Sequence, residues 1–87
     1  MTIKEAILQS LEDLKDLATH NKIYDHIIKH NYYEFKIART PRDTISSQLW
    51  YFIKKNDSRV KRIKGNGNYY LYYLAKYEQN INFDNYI

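Results

Sequence analysis

The chain has 87 residues, of which 44% are hydrophobic and 28% charged, with two Gly, one Pro and no Cys. That composition fits one small globular domain and excludes a second catalytic lobe, a low-complexity segment, a disulfide framework and a thiolate zinc site. The formal net charge is +4, and it is unevenly spread. Residues 1–35 carry four Lys against six acids, residues 36–64 carry nine basic residues against Asp43 and Asp57, and residues 65–87 are net −1. A segment with a net charge of +7 is an electrostatic footprint for a polyanion, because each neutralised phosphate releases condensed counterions. The bland alternative is a solvated basic face, so the structure carrying the charges matters. A chain of this length predicts about 5,500 Å² of accessible surface once folded. No apolar run approaches the roughly 18 residues that span a bilayer, so no membrane partner is expected. The lack of Cys suits a reducing cytoplasmic compartment.

In chain order, Thr2 and Glu5 form a capping box that starts an amphipathic helix rather than a secretory signal. Ile3, Ala6, Ile7, Leu11 and Leu14 recur at helical spacing to about Lys15. Leu17-Ala18-Thr19 reads as a connector able to make a short strand, with Thr19 capping a second helix from His20 to about His30 whose core face holds Ile23 and Ile27. Asn31 to Arg39 has no clean period and reads as a loop. Thr40-Pro41-Arg42-Asp43 is a strong helix start, with Thr as N-cap, Pro at the first position and an acid at the third. The third helix runs to about Lys55, with Ile45, Leu49, Phe52 and Ile53 on one arc. Asp43, Ser47, Trp50, Tyr51 and Lys54 lie on the other. Val60 to Lys64 and Tyr69 to Leu74 flank Gly65-Asn66-Gly67-Asn68, residues that tolerate positive φ in a tight reversal, and so read as a β-hairpin. Residues 75–87 read as a polar C-terminal tail or linker after a domain spanning 1–74.

Three helices, a short strand after the first, and a closing hairpin give the order of a winged helix-turn-helix, mainly α with a two-stranded wing. In that fold the third helix enters the major groove and the wing grips backbone. The chain also resembles the HARE-type winged helix-turn-helix. The resemblance rests on Lys4-Glu5-Ala6 with Leu11, on Ile23 and Ile27, on Thr40-Pro41 with Thr44-Ile45 and Leu49, and on Val60, Arg62-Ile63, Gly67, Tyr69 and Leu71 in the wing. It covers about residues 2–74. The chain departs from the family pattern in a turn at Gly65-Asn66-Gly67 that is one residue longer and in an Asn31–Ala38 loop without Gly. Family members occur in restriction endonucleases, chromatin proteins and the delta subunit of RNA polymerase. The resemblance therefore implies DNA binding or a transcription-linked interaction, and the favoured expectation is a non-enzymatic, nucleoid-associated targeting module of a bacterial restriction or transcription protein.

Double-stranded DNA is the expected partner. Phosphate contacts are expected from Arg39, Arg42, Lys54 and Lys55 around the third helix and from Arg59, Lys61, Arg62 and Lys64 in the first wing strand. Ser47 and Tyr51, with Ser46 and Gln48 beside them, are the candidate base readers, having hydroxyl and amide side chains able to reach base edges. The alternative is a protein-interaction module that docks on RNA polymerase or on a fused or associated nuclease domain, with Trp50 and the tyrosines as anchors. Ten Tyr could form a stacking platform for unpaired bases, although strand alternation assigns half of those in the wing to core or cross-strand pairs. His26 and His30 share a helix face at i and i+4, a spacing that can bind metal, but no adjacent carboxylate completes a catalytic motif. Asp25 with Glu34-Phe35-Lys36 only loosely matches the spacing of metal-dependent nucleases. No catalytic set, metal site or cofactor motif is recognisable.

Overall fold

The structure is a computed structural model that describes residues 1–36 and 39–85. Helix α1 (Ile3–Leu14) starts at the capping box: the Thr2 hydroxyl accepts from the Glu5 amide at 3.2 Å, and the Glu5 carboxylate accepts from the Thr2 amide at 2.8 Å. It stops at Lys15, which takes a left-handed conformation with φ 52°. Helix α2 (His20–His30) starts with the Thr19 hydroxyl accepting from the Lys22 amide at 3.2 Å, and ends at Asn31 with φ 57°. Asn tolerates that region better than most residues because its short side chain can hydrogen-bond locally.

Helix α3 (Pro41–Lys54) begins where its local signal places it, but by different chemistry. Thr40 occupies the N-cap position, and its hydroxyl makes no capping hydrogen bond. The start rests instead on Pro41, whose missing amide is one of the orphans of a first turn, and on Asp43, whose charge suits the positive end of the helix dipole. The loop expected from Asn31 to Arg39 contains Ile37 and Ala38, which lie outside the described residues. Over 32–36 the chain is irregular, and Tyr32, Tyr33 and Phe35 pack partly buried against the core.

The strands β1 (Val60–Lys64) and β2 (Tyr70–Leu74) pair antiparallel, from Val60 opposite Leu74 to Lys64 opposite Tyr70. β2 lies between β1 and the connector after α1, because Ala18 and Tyr72 exchange both backbone hydrogen bonds, at 2.9 and 2.8 Å. The short strand expected at Leu17-Ala18-Thr19 is thus a single bridge. Three helices, this bridge and the hairpin make a small winged-helix fold.

One core lies among the helices and the inner face of the hairpin. It joins Ala6, Ile7 and Leu11 of α1, Ile23 and Ile27 of α2, and Ile45, Leu49 and Phe52 of α3 to Val60, Tyr72 and Leu74. Ser10, on the buried face of α1, satisfies its hydroxyl by donating to the Ala6 carbonyl at 2.8 Å. A second cluster of Leu17, Leu71, Tyr73 and Ile81 covers the outer face of the hairpin.

Ile81 belongs to the polar segment after β2, which forms 3-10 turns at Ala75–Asn80 and Phe83–Asn85. Tyr77 donates to Glu12 of α1 at 2.9 Å, Lys76 pairs with Glu12 at 2.7 Å, and Tyr73 donates to Glu78 at 2.8 Å. The segment therefore packs on α1 and the outer wing face. The total accessible surface is 5831 Å², close to the expectation from length. No helix among the described residues is long and apolar enough to cross a membrane.

Candidate nucleic-acid interface

The outward arc of α3 follows from the burial of its inner one. With Ile45, Leu49 and Phe52 committed to the core, Ser47, Trp50, Tyr51 and Lys54 are exposed and Ser46 is half-buried. Asp43, Ser46, Ser47, Trp50 and Tyr51 line a shallow depression on this arc, with no residue from the C-terminal segment among them. Trp50 is 46% exposed, so it does not pack beneath the wing. The Lys54 ammonium sits 4.8 Å from the centre of the Trp50 ring, and Lys55 stands 5.9 Å from Tyr51. Each is an aromatic–lysine pair four residues apart, neighbours on a helix surface.

Strand alternation sorts the wing cations. Val60, Arg62 and Lys64 share a face, and Val60 with its cross-strand partner Leu74 belongs to the helical core. Arg62 and Lys64 extend that helix-side face towards the hairpin tip. The Arg62 guanidinium lies over the Tyr70 ring, 4.0 Å from its centre. Lys61 projects to the opposite side, where it meets Glu78 at 3.5 Å. Arg59 precedes the strand and binds Asp57 through two side-chain hydrogen bonds of 3.0 and 2.7 Å. Those bonds hold the Asp57 carboxyl at about 2, well below its ordinary range.

Arg42 spans α2 and α3. It donates to the Asn21 side chain and to Asp25, each at 2.9 Å, and stacks 4.5 Å from the centre of the Tyr24 ring. The structure thus divides the eight cations singled out in the sequence. Arg42, Arg59 and Lys61 are bound to carboxylates. Among the described residues, Arg39, Lys54, Lys55, Arg62 and Lys64 make no ion pair.

Comparisons with protein-family models, with curated proteins and with solved structures find no match for this chain.

The remaining marked residues have structural partners. His26 lies 3.0 Å from Asp13 of α1, and its ring is 4.2 Å from that of His30, which stacks on Tyr32. Tyr32 also donates to Asp13, and the hydrogen bonds from Tyr32 and His26 bring the Asp13 carboxyl down to about 2. Asp25 is taken by Arg42, and Glu34 pairs with Lys36 at 3.4 Å. No group of three or more His, Asp or Glu among the described residues could hold a metal ion.

The wing tip holds a feature that sequence reasoning missed. Gly65 and Gly67, which would tolerate positive φ in a tight reversal, do not adopt it. Tyr69, expected to open β2, belongs instead to the connection, which closes through a 2.9 Å bond from the Gly65 amide to the Tyr69 carbonyl. A Cβ at Gly65 would overlap one edge of the Tyr69 ring, and one at Gly67 would come 3.1 Å from Cε1 on the other edge. Both glycines make room for this ring. The only sequence signal is a Tyr spaced four and two residues after the two Gly, a pattern that turn chemistry alone explains equally well.

Proposed function

We propose that the domain binds double-stranded DNA, with α3 directed to the major groove and the helix-side face of the wing against the phosphate backbone. The observation that carries this reading is the set of five cations without ion-pair partners among the described residues: Arg39 before α3, Lys54 and Lys55 at its end, and Arg62 and Lys64 on the wing. A winged helix places these elements on either side of a duplex groove. Ser46, Ser47 and Tyr51 sit on the outward arc between the cations and are the base-reading candidates. Arg42, Arg59 and Lys61 would have to leave a carboxylate before meeting phosphate, so their contribution is secondary. Kinship with the HARE-type domains and a targeting role in a restriction or transcription protein belong to the same proposal.

The test sets charge reversal on the helix-side face of the wing against neutralisation of the ion-paired Arg59. Arg62→Glu with Lys64→Glu should lower affinity for all duplex sequences alike, by about tenfold or more, read by fluorescence anisotropy with labelled duplexes. Arg59→Gln, which frees Asp57, should change it by less than about threefold. Equal effects of the two variants would show that the helix-side face has no special part in binding.

A further inference from the structure

The outward arc of α3 carries two groups for which phosphate binding has no use. Trp50 is 46% exposed, with the Tyr51 ring edge-on at 5.4 Å and the Lys54 ammonium 4.8 Å from its centre, both from its own helix. Asp43 is the one acid of α3; it is exposed and has no ion-pair partner among the described residues. A carboxylate on a helix offered to a polyanion repels it. Neither side chain belongs to the core.

The two groups share one site. Asp43, Ser46, Ser47, Trp50 and Tyr51 line a single shallow depression, and the first four follow the i, i+3, i+4, i+7 spacing of one helix face. Long helical side chains lean towards the N-terminus, which carries the indole back over the turn that holds Ser46 and Ser47. The depression therefore offers an acceptor that cannot donate, two hydroxyls and an apolar aromatic wall. In the major groove the donors are the N4 amino group of cytosine and the N6 amino group of adenine, and the apolar group is the thymine C5-methyl. An A·T pair carries an amino donor and a methyl together, whereas a G·C pair has the donor without the methyl. The remaining edge atoms of the A·T pair, adenine N7 and thymine O4, are acceptors that serine hydroxyls can meet.

We infer that α3 reads A·T pairs, with Trp50 packed on thymine methyl groups and Asp43 accepting from adenine N6 amino groups. This inference rests on the proposed DNA binding and names the base pair it selects. It adds Trp50 and Asp43 to the hydroxyl-bearing base readers of the same arc, while the unpaired cations hold the backbone.

The experiment compares three labelled 16-base-pair duplexes by fluorescence anisotropy. The first has a central A·T block between G·C ends. The second replaces thymine by uracil, which deletes only the methyl groups, and the third replaces adenine by 2-aminopurine, which still pairs with thymine but carries its amino group in the minor groove. Uracil should lower affinity about fourfold, the effect of leaving one methyl unburied. 2-Aminopurine should lower it about tenfold, as for a lost hydrogen bond to a charged group. Trp50→Ala should bind the thymine and uracil duplexes equally, and Asp43→Ala the adenine and 2-aminopurine duplexes equally, each with the circular dichroism of the parent protein. Equal binding of all three duplexes by the parent protein, or discrimination that survives the matching substitution, would overturn the inference and leave duplex binding standing. Failure to bind any of them at low salt would overturn both.

Discussion

Asp13 joins three parts of the chain, accepting from Tyr32 after α2 and facing His26 within it at 3.0 Å. These bonds hold its carboxyl at about 2 against an ordinary 3.8, and the Arg59 bonds do the same for Asp57. In the unfolded chain both groups titrate at the ordinary value. The unfolded state therefore binds more protons between about pH 4 and pH 2, and the stabilisation present above that window is lost as pH falls through it. The urea midpoint is expected to drop steadily from pH 4 to pH 2, and more shallowly in Asp13→Asn. A midpoint with the same pH dependence in both proteins would mean that Asp13 has no such role. The residue scale is also where the sequence was least legible. Charge counting placed Arg42 with the free cations, but its partners Asn21, Tyr24 and Asp25 lie 17 to 21 residues away, and only the packing of α2 on α3 brings them together. His26 resembled half of a metal pair for the same reason, since its partner Asp13 is 13 residues back on another helix.

The third helix starts by different local chemistry from the first two, and that difference is measurable. Thr2 and Thr19 accept first-turn amides, whereas Thr40 caps nothing. Thr2→Ala and Thr19→Ala should each cost about 1 kcal/mol, and Thr40→Ala no more than a few tenths, by urea denaturation at neutral pH. A Thr40→Ala loss as large as the other two would contradict the capping assignment. The helices themselves were legible because their signals are local: apolar spacing of three and four, a cap before the first turn, a proline at the first position. The β1 span and the buried arc of α3 were legible on the same grounds. The wing connection was not. Gly-Asn-Gly-Asn marks a reversal, but nothing in the tetrapeptide says that its glycines serve a ring two or four residues onward. The segment after Leu74 was equally opaque, because 3-10 turns have no apolar period to detect. The burial of Ile81 depends on Leu17 and Leu71 from distant parts of the chain.

For the whole molecule, the fold divides the basic segment into paired and unpaired cations. Residues 36–64 carry nine basic side chains; Lys36, Arg42, Arg59 and Lys61 meet carboxylates, and Arg39, Lys54, Lys55, Arg62 and Lys64 make no ion pair among the described residues. The C-terminal segment adds to this pairing by bringing Glu78 to Lys61 on the outer wing face and Lys76 to Glu12 of α1. The three-helix and hairpin order could be read from the sequence, but this division could not, because the carboxylates that Arg42 and Lys61 meet lie 17 residues away in the chain. Proposed DNA binding through the five remaining cations has a direct thermodynamic signature. Each neutralised phosphate adds about −0.9 to the slope of log K against log salt concentration, so five contacts predict a slope of about −4.5. Titration of a labelled 16-base-pair duplex across a series of salt concentrations measures that slope. A value between about −4 and −5 is expected, and an affinity indifferent to salt, or no binding at low salt, would contradict the account.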